Sequence, residues 1–576
     1  MSSLPPGTLL ILGALAVPLL KGHVRAAWML LLPVLSYLHL QGLPADHQTS
    51  VSLFGMDLTP VRVDRLSMVW GIVFHIAAAL SVIYALHVKD SVQMVAGLMY
   101  AGAAISAAFA GDFITLFVYW ELTAITSVFL IWARRTERAY TVGLRYLLIQ
   151  VGSGVILLAG VILHYSATGS LFFGQLAGNN GVSLADAGLG VQLIFLAFGI
   201  KAAFPLLHNW LQDAYPEATV VGTVFLSAFT TKLAIYTLAR GFPGTEILIP
   251  IGAVMTLFPI FFAVIENDLR RVLAYSLNNQ LGFMVVGIGI GTQLALNGTA
   301  AHAFAHIIYK GLLFMAMGAV LYRTGTIKAS ELGGIYKSMP WTTAFCIVGS
   351  LSIAGFPFFS GFISKAMVLS EGAHGYGLFL PLALLIASAG VVDHSGIKIP
   401  FFAFFAHDSG KRVEEAPLNM RIAMGIAAAL CLLLGFGPGM NMLYSILPYP
   451  EVAAAYRPWT TSHVLFSLQL LLFAALAFAI LFRRGIYPPE LRATNLDTDW
   501  TYRKGLPAIT RWLARGIGVV NGAARTETTR LISGIVGKAR AHHVPSTGVL
   551  GEPWTVGRTA LWAAILLIVC LLMAFA

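Results

Sequence analysis

Charge is what this chain has least of. Only 11% of its 576 residues are Asp, Glu, Lys or Arg, whereas a soluble domain carries roughly 25%. Together with 58% hydrophobic residues and a mean hydropathy of +0.80, this excludes a water-soluble globule. Cysteine is also scarce. Cys346, Cys431 and Cys570 lie in three separate apolar runs without metal-ligand spacing, which leaves neither a disulfide framework nor a cysteine-held metal site. No nucleotide signature accompanies the 57 glycines, and no site for a nucleotide, flavin or iron–sulfur cluster is recognisable. No cofactor or metal is therefore expected, and the glycines read as close-packing residues of membrane helices. The first apolar run lacks the basic flank and small-residue cleavage site of a signal peptide and reads as a retained helix. The net charge of +11 comes from loops and a basic C-terminal segment, so nucleic acid need not be invoked.

What is present is a succession of apolar runs of roughly 17–25 residues, the length that spans a bilayer as a helix. They show no strand alternation, which favours a helical bundle over a barrel. Sixteen spans are predicted, the first near 5–21 and the last near 556–576. With the N-terminus outside, sixteen Lys and Arg fall in inner connections and only Arg62, Arg65, Arg240 and Arg457 in outer ones. That bias predicts both termini outside a bacterial cytoplasmic membrane. The organisation predicted is N-terminal helices over 1–92, two repeats over 93–240 and 241–410, and peripheral helices over 411–485. A basic amphipathic segment on the cytoplasmic side follows over 486–554, with Ile509, Trp512, Leu513 and Ile517 at helical spacing among arginines. A final membrane helix covers 555–576.

The informative residues are charges that do not belong in a bilayer. A lysine at mid-depth costs at least ~2.5–3.5 kcal/mol on insertion scales and needs a partner or water. The run 191–214 carries Lys201 beside Pro205, and proline breaks a helix by removing a donor and clashing with the preceding turn. A Gly-Phe-Pro break at Pro357, followed by Lys365, recurs five spans later. Interrupted helices in corresponding positions mark an inverted repeat, the odd offset setting the copies in opposite orientations. Glu121 lies within the fifth span as a counter-ion for Lys201, and Lys232 within the eighth. His302, His306 and Lys310, at i, i+4 and i+8, stack on one face of the eleventh, as a proton wire requires. Asp393, His394 and Lys398 form an additional candidate group in the thirteenth. Either Asp393 neutralises Lys398 or the span is interrupted at Gly396; both readings stand.

FVYWEL around Glu121, GIKAAFPLLHNWLQDAYPEAT around Lys201, HAFAHIIYKGLLF around Lys310 and AGFPFFSGFISK around Lys365 resemble one family. It comprises the antiporter-like subunits shared by respiratory complex I and the Mrp-type multisubunit cation/proton antiporters. The resemblance covers roughly residues 60–440 and is nearest to the D-type members of the antiporter branch. It implies an all-α core of about fourteen helices with two inverted five-helix half-channels, helices seven and twelve broken, plus extra C-terminal helices. It further implies an ion pair of Glu121 with Lys201, Lys232 as the bridge, His302, His306 and Lys310 as the central relay, and Lys365 as the exit-side lysine. The Asp393, His394 and Lys398 group departs from that pattern. The order of helix, basic amphipathic segment and final helix is similar to the distal, largest subunit of complex I.

The function expected is proton translocation through these side chains within a hetero-oligomeric membrane complex. It is either a cation/proton antiporter, with sodium or potassium as the counter-cargo, or a complex I-like or hydrogenase-type respiratory assembly. The chain has no catalytic chemistry of its own, so any redox drive must come from partner subunits. Two other classes compete. Haem ligation by His302 and His306 is disfavoured because both lie on one helix. A structural subunit with idle charges is the other.

Overall fold

Helix starts show how the chain meets the ends of its spans. Asp64, Asp90, Asp112 and Asp268 each precede a helix and accept from the free amides of its first turn, as an N-cap does. Asp64 forms a reciprocal capping box with Ser67 and also receives both Arg240 guanidinium nitrogens at 2.8 Å.

The computed structural model describes residues 4–53, 55–373, 375–492, 495–542 and 555–575. The first helices are α1 (Thr8–Leu19), α2 (Gly22–Gln41) and α3 (Arg65–Ala85). A small hairpin, β1 (Val51–Leu53) with β2 (Met56–Leu58), lies in the loop before α3. The first repeat holds α4 (Ser91–Ala108), α5 (Phe113–Trp132) and α6 (Glu137–Thr168). It continues with α7, in two pieces α7a (Gly188–Lys201) and α7b (Asn209–Glu217), and α8 (Val220–Gly241). The second repeat holds α9 (Leu248–Ile265), α10 (Leu269–Ile290) and α11 (Gln293–Thr324). Its broken helix is α12, with α12a (Pro340–Ala354) and α12b (Ser360–Gly372), followed by α13 (Phe379–Phe405). Then come α14 (Leu418–Leu433), which turns 86° into Gly437–Ile446, and α15 (Thr461–Arg483). Among the described residues, ten helices are long and apolar enough to cross a bilayer. The chain is a multi-pass integral membrane protein.

Both breaks fall where the sequence predicts them. α7a stops at Lys201 and α7b resumes at Asn209, with Pro205 between. α12a stops at Ala354 and α12b resumes at Ser360, with Pro357 between. Ala203, Leu206 and Phe358 take positive φ values of 62°, 70° and 76° there, a region that costs a non-glycine residue of order 1–2 kcal/mol. The carbonyls released by the breaks find side-chain donors. Trp210 Nε1 donates to Ile200 O at 3.0 Å, and Lys365 Nζ to Ile353 O at 2.7 Å.

The hub is α11, which packs against α3, α8, α10, α12 and α14 and is almost wholly buried. Beside it α9 and α10 meet backbone to backbone: a methyl on Gly252 would strike the carbonyl of Gly282, and the reverse also holds. At the face of the bundle rich in Lys and Arg loops, Arg270 of α10 is buried. It donates to the carbonyls of Pro216, Ala218 and Thr219, each at 3.1 Å.

The chain divides into two compact units, one through Asn495 and one from Leu496. The second contains α16 (Leu506–His542) and α17 (Val556–Phe575). Residues 543–554 of the predicted segment lie outside the described residues.

Candidate functional site

Six of the seven charged or imidazole residues singled out for the proton path lie buried inside the bundle: Lys201, Lys232, His302, His306, Lys310 and Lys365. The seventh, Glu121, is half-buried. Each lysine has a partner, and in each case the partner is neutral.

Lys201, at the end of α7a, donates to Trp120 O at 2.7 Å and to Thr123 Oγ1 at 3.1 Å, and lies 4.1 Å from the Trp120 ring centroid. Glu121 is the next residue of α5 and interacts electrostatically with Lys201, yet no ion pair closes between them. Its Oε1 is buried without a hydrogen-bond partner and faces α6 at Gly154. The pair implied by the resemblance is thus open, with the ammonium resting on the α5 backbone.

In α8 the helix is interrupted at Phe229, and Lys232 reaches back across the interruption to Ser227 O at 2.6 Å. His306 is within electrostatic reach of both Lys232 and Lys310, which links the two repeats. On α11 the ring centroids of His302 and His306 are 6.1 Å apart. His302 Nδ1 pairs with Ser364 Oγ of α12b at 3.0 Å, and its Nε2 is 3.5 Å from the Tyr309 hydroxyl. Neither nitrogen of His306 has a hydrogen-bond partner among the described residues. Lys310 donates to Ser276 Oγ of α10 at 2.7 Å. Lys365 lies 5.5 Å from the Phe283 ring centroid besides its bond to Ile353 O.

The α13 group resolves differently from either expectation. The helix is not interrupted at Gly396 but widens into a π-turn over Val392–Ile397. Pro400, just beyond this turn, has no amide to offer Gly396 O. Lys398 does not pair with Asp393. Its ammonium is 3.0 Å from Glu490 and donates to the carbonyls of Ala263, Val264 and Glu266.

Sequence reasoning missed Thr123, Ser276, Ser395 and Glu490. The hydroxyls give no signal, because serine and threonine are ordinary in membrane helices. Glu490 falls in the stretch assigned to the basic amphipathic segment, outside every predicted span. Among the described residues no group of three or more His, Cys, Asp or Glu could hold a metal ion.

Residues 110–389 match the family described as NADH:quinone oxidoreductase/Mrp antiporter, transmembrane. The D-type component of the Na(+)/H(+) antiporter of Alkalihalophilus pseudofirmus is 32% identical over 355 residues, covering 58% of this chain and 71% of that one. The chain spans only about half the length of several other curated relatives, 52–54%. Among solved structures, one in the Mrp complex from Dietzia sp. DQ12-45-1b superposes with a TM-score of 0.67 at 20% identity, covering 81% of this chain and 99% of that one. One in the membrane-bound sulfane sulfur reductase, an archaeal respiratory membrane complex, gives 0.68 at 22% identity over 98% of this chain and 99% of that one. An interrupted helix in each repeat, the lysines beside the breaks and the similarity to the Alkalihalophilus antiporter component lead to one conclusion: the chain belongs to the NADH:quinone oxidoreductase/Mrp antiporter family of membrane subunits.

Proposed function

We propose that this chain is a proton-translocating antiporter-like subunit of a multisubunit cation/proton antiporter, seated among other membrane subunits in a bacterial cytoplasmic membrane. The observation that carries the reading is the row of lysines and histidines buried from Lys201 to Lys365. By the positive-inside rule the basic loops are cytoplasmic and both termini outside. Lys201 exchanges protons with one side as Glu121 approaches and recedes. A nearby carboxylate stabilises the ammonium, and its withdrawal lets desolvation expel the proton. Protons then pass by Lys232 to Lys310, His306 and His302, and leave past Lys365. Moving one charge across the membrane involves ~2.3 kcal/mol per 100 mV, and one pKa unit is ~1.36 kcal/mol. Cycling a lysine by a few units is enough to couple to such a gradient.

The test is proton flux in proteoliposomes of the assembled complex. Lys201→Ala or Glu121→Ala should abolish it while the partner subunits still co-purify; undiminished flux refutes this route. A finer expectation concerns Gly154, where an added methyl would collide with the Glu121 carboxylate. Gly154→Ala should lower flux about tenfold, equivalent to ~1.4 kcal/mol on the barrier. Gly152→Ala, whose methyl meets open space, should leave it unchanged. Equal fluxes in the two variants would show that the position of Glu121 does not matter.

The second reading is a proton-pumping subunit of a respiratory complex, favoured by a fold match to the sulfane sulfur reductase that extends over 98% of the chain. Co-purifying subunits separate the two: hydrophilic redox partners support the respiratory assembly, and exclusively small membrane partners the antiporter.

A further inference from the structure

The α13 group is not an isolated cluster. A hydrogen-bonded string joins it to the central lysine. Lys310 Nζ donates to Ser276 Oγ at 2.7 Å, Ser395 Oγ lies 2.7 Å from Ser276 Oγ, and His394 Nδ1 lies 2.8 Å from Ser395 Oγ. The other nitrogen of His394, Nε2, is fully buried and has no partner among the described residues. The π-turn over Val392–Ile397 brings His394 and Ser395 to this string. Such widened turns recur at functional sites because the inserted residue re-aims the side chains around it.

Next along the chain from His394 is Asp393, whose Oδ2 is 3.4 Å from the Tyr487 hydroxyl. One turn on, Lys398 meets Glu490. Both Tyr487 and Glu490 belong to the segment that follows α15 at the basic face. That segment is fastened at three further points: Tyr487 packs among Phe402, Phe478 and Phe482, Arg492 binds Glu331 at 2.6 Å, and Asn495 donates to Glu266 at 3.3 Å. Beyond Lys398, the Glu490 carboxylate accepts no hydrogen bond among the described residues. Its burial pushes the carboxyl above the ordinary glutamate range, an effect that Lys398 only partly offsets. α13 is the counterpart of α8 five helices earlier, and each carries a buried lysine just after an irregular turn, Lys232 after Phe229 and Lys398 after the π-turn.

We propose that the basic-face half of α13 is a proton-loading site of the second repeat, in which Glu490 and Asp393 receive protons from the aqueous side and His394 passes them through Ser395 and Ser276 to Lys310. Only protons move, and no bond between heavy atoms changes. The chain then has a second basic-face connection to its central lysine, one that loads the second repeat while Lys201 loads the first, so that losing either halts the coupled cycle. This rests on the proton-translocating reading above.

The experiment compares Glu490→Gln, His394→Gln and Ser395→Ala with Lys201→Ala, in proteoliposomes of the assembled complex, with thermal midpoints measured alongside flux. Each of the first three should lower flux at least tenfold with a midpoint close to that of the unaltered complex. Ser395→Ala is the sharpest, because it removes one hydroxyl from the string and leaves the Lys398–Glu490 pair intact. If Lys201→Ala abolishes flux while those three keep it, the loading site is overturned and the main route stands. If only Glu490→Gln lowers flux, and its midpoint falls too, the pair is a structural clasp and the proposal fails. Absence of flux from the unaltered complex would instead fell the proposed function itself, and this site with it.

Discussion

Lys310→Met is expected to reduce proton flux about a hundredfold, equivalent to ~2.7 kcal/mol on the barrier. Methionine fills much the same slot and adapts to irregular packing, so the loss should come from the ammonium and not from a hole in α11. The size of the effect follows from position. Lys310 is buried in the helix that both repeats pack against, within electrostatic reach of His306 on one side and bonded to Ser276 on the other. Removing the charge at this point leaves the proposed relay without its middle. Flux within twofold of the unaltered complex, with assembly intact, would show that protons do not cross through α11. It would also favour the reading in which these charges are idle.

The largest stability effect is expected from Arg270→Leu. The guanidinium is 1% exposed and gathers the carbonyls of Pro216, Ala218 and Thr219 at the α7b–α8 junction, with the Thr223 hydroxyl also in contact. Removing it strips several buried acceptors of their donor, each worth ~1–3 kcal/mol when left unsatisfied. The thermal midpoint in detergent should fall by several degrees. Arg270→Lys should recover only part of it, since an ammonium cannot span carbonyls that a planar fork reaches together. An unchanged midpoint for Arg270→Leu would show that the junction holds without this residue.

Much of this architecture could be read from the amino acids because membranes make few exceptions. A proline beside a lysine in an apolar run had to be a break facing protein or water, and 202–208 and 355–359 are such breaks. The i, i+4, i+8 spacing of His302, His306 and Lys310 had to share one face of a helix. What could not be read were the neutral partners. Spacing could suggest Glu121 for Lys201, but not that the ammonium would settle on Trp120 O and Thr123, because a backbone carbonyl has no letter of its own. Ser276 and Ser395 carry no unusual composition and acquire meaning only when α10 and α13 are side by side. Proximity in sequence offers Lys398 only Asp393 or a break at Gly396, while its ion-pair partner Glu490 comes from the start of the predicted amphipathic segment, far along the chain.

Where each of the two break-side ammonium groups rests has a mechanical consequence. Lys201 is tethered to a carbonyl of α5, another helix, whereas Lys365 is tethered to Ile353 of its own broken helix. Sliding α5 along α7 would shift both acceptors of the first lysine, Trp120 O and Thr123 Oγ1, and leave that of the second in place. The second can be released only by flexing the joint at 355–359. A displacement of α5 would therefore be felt at the first break and, through these contacts, not at the second.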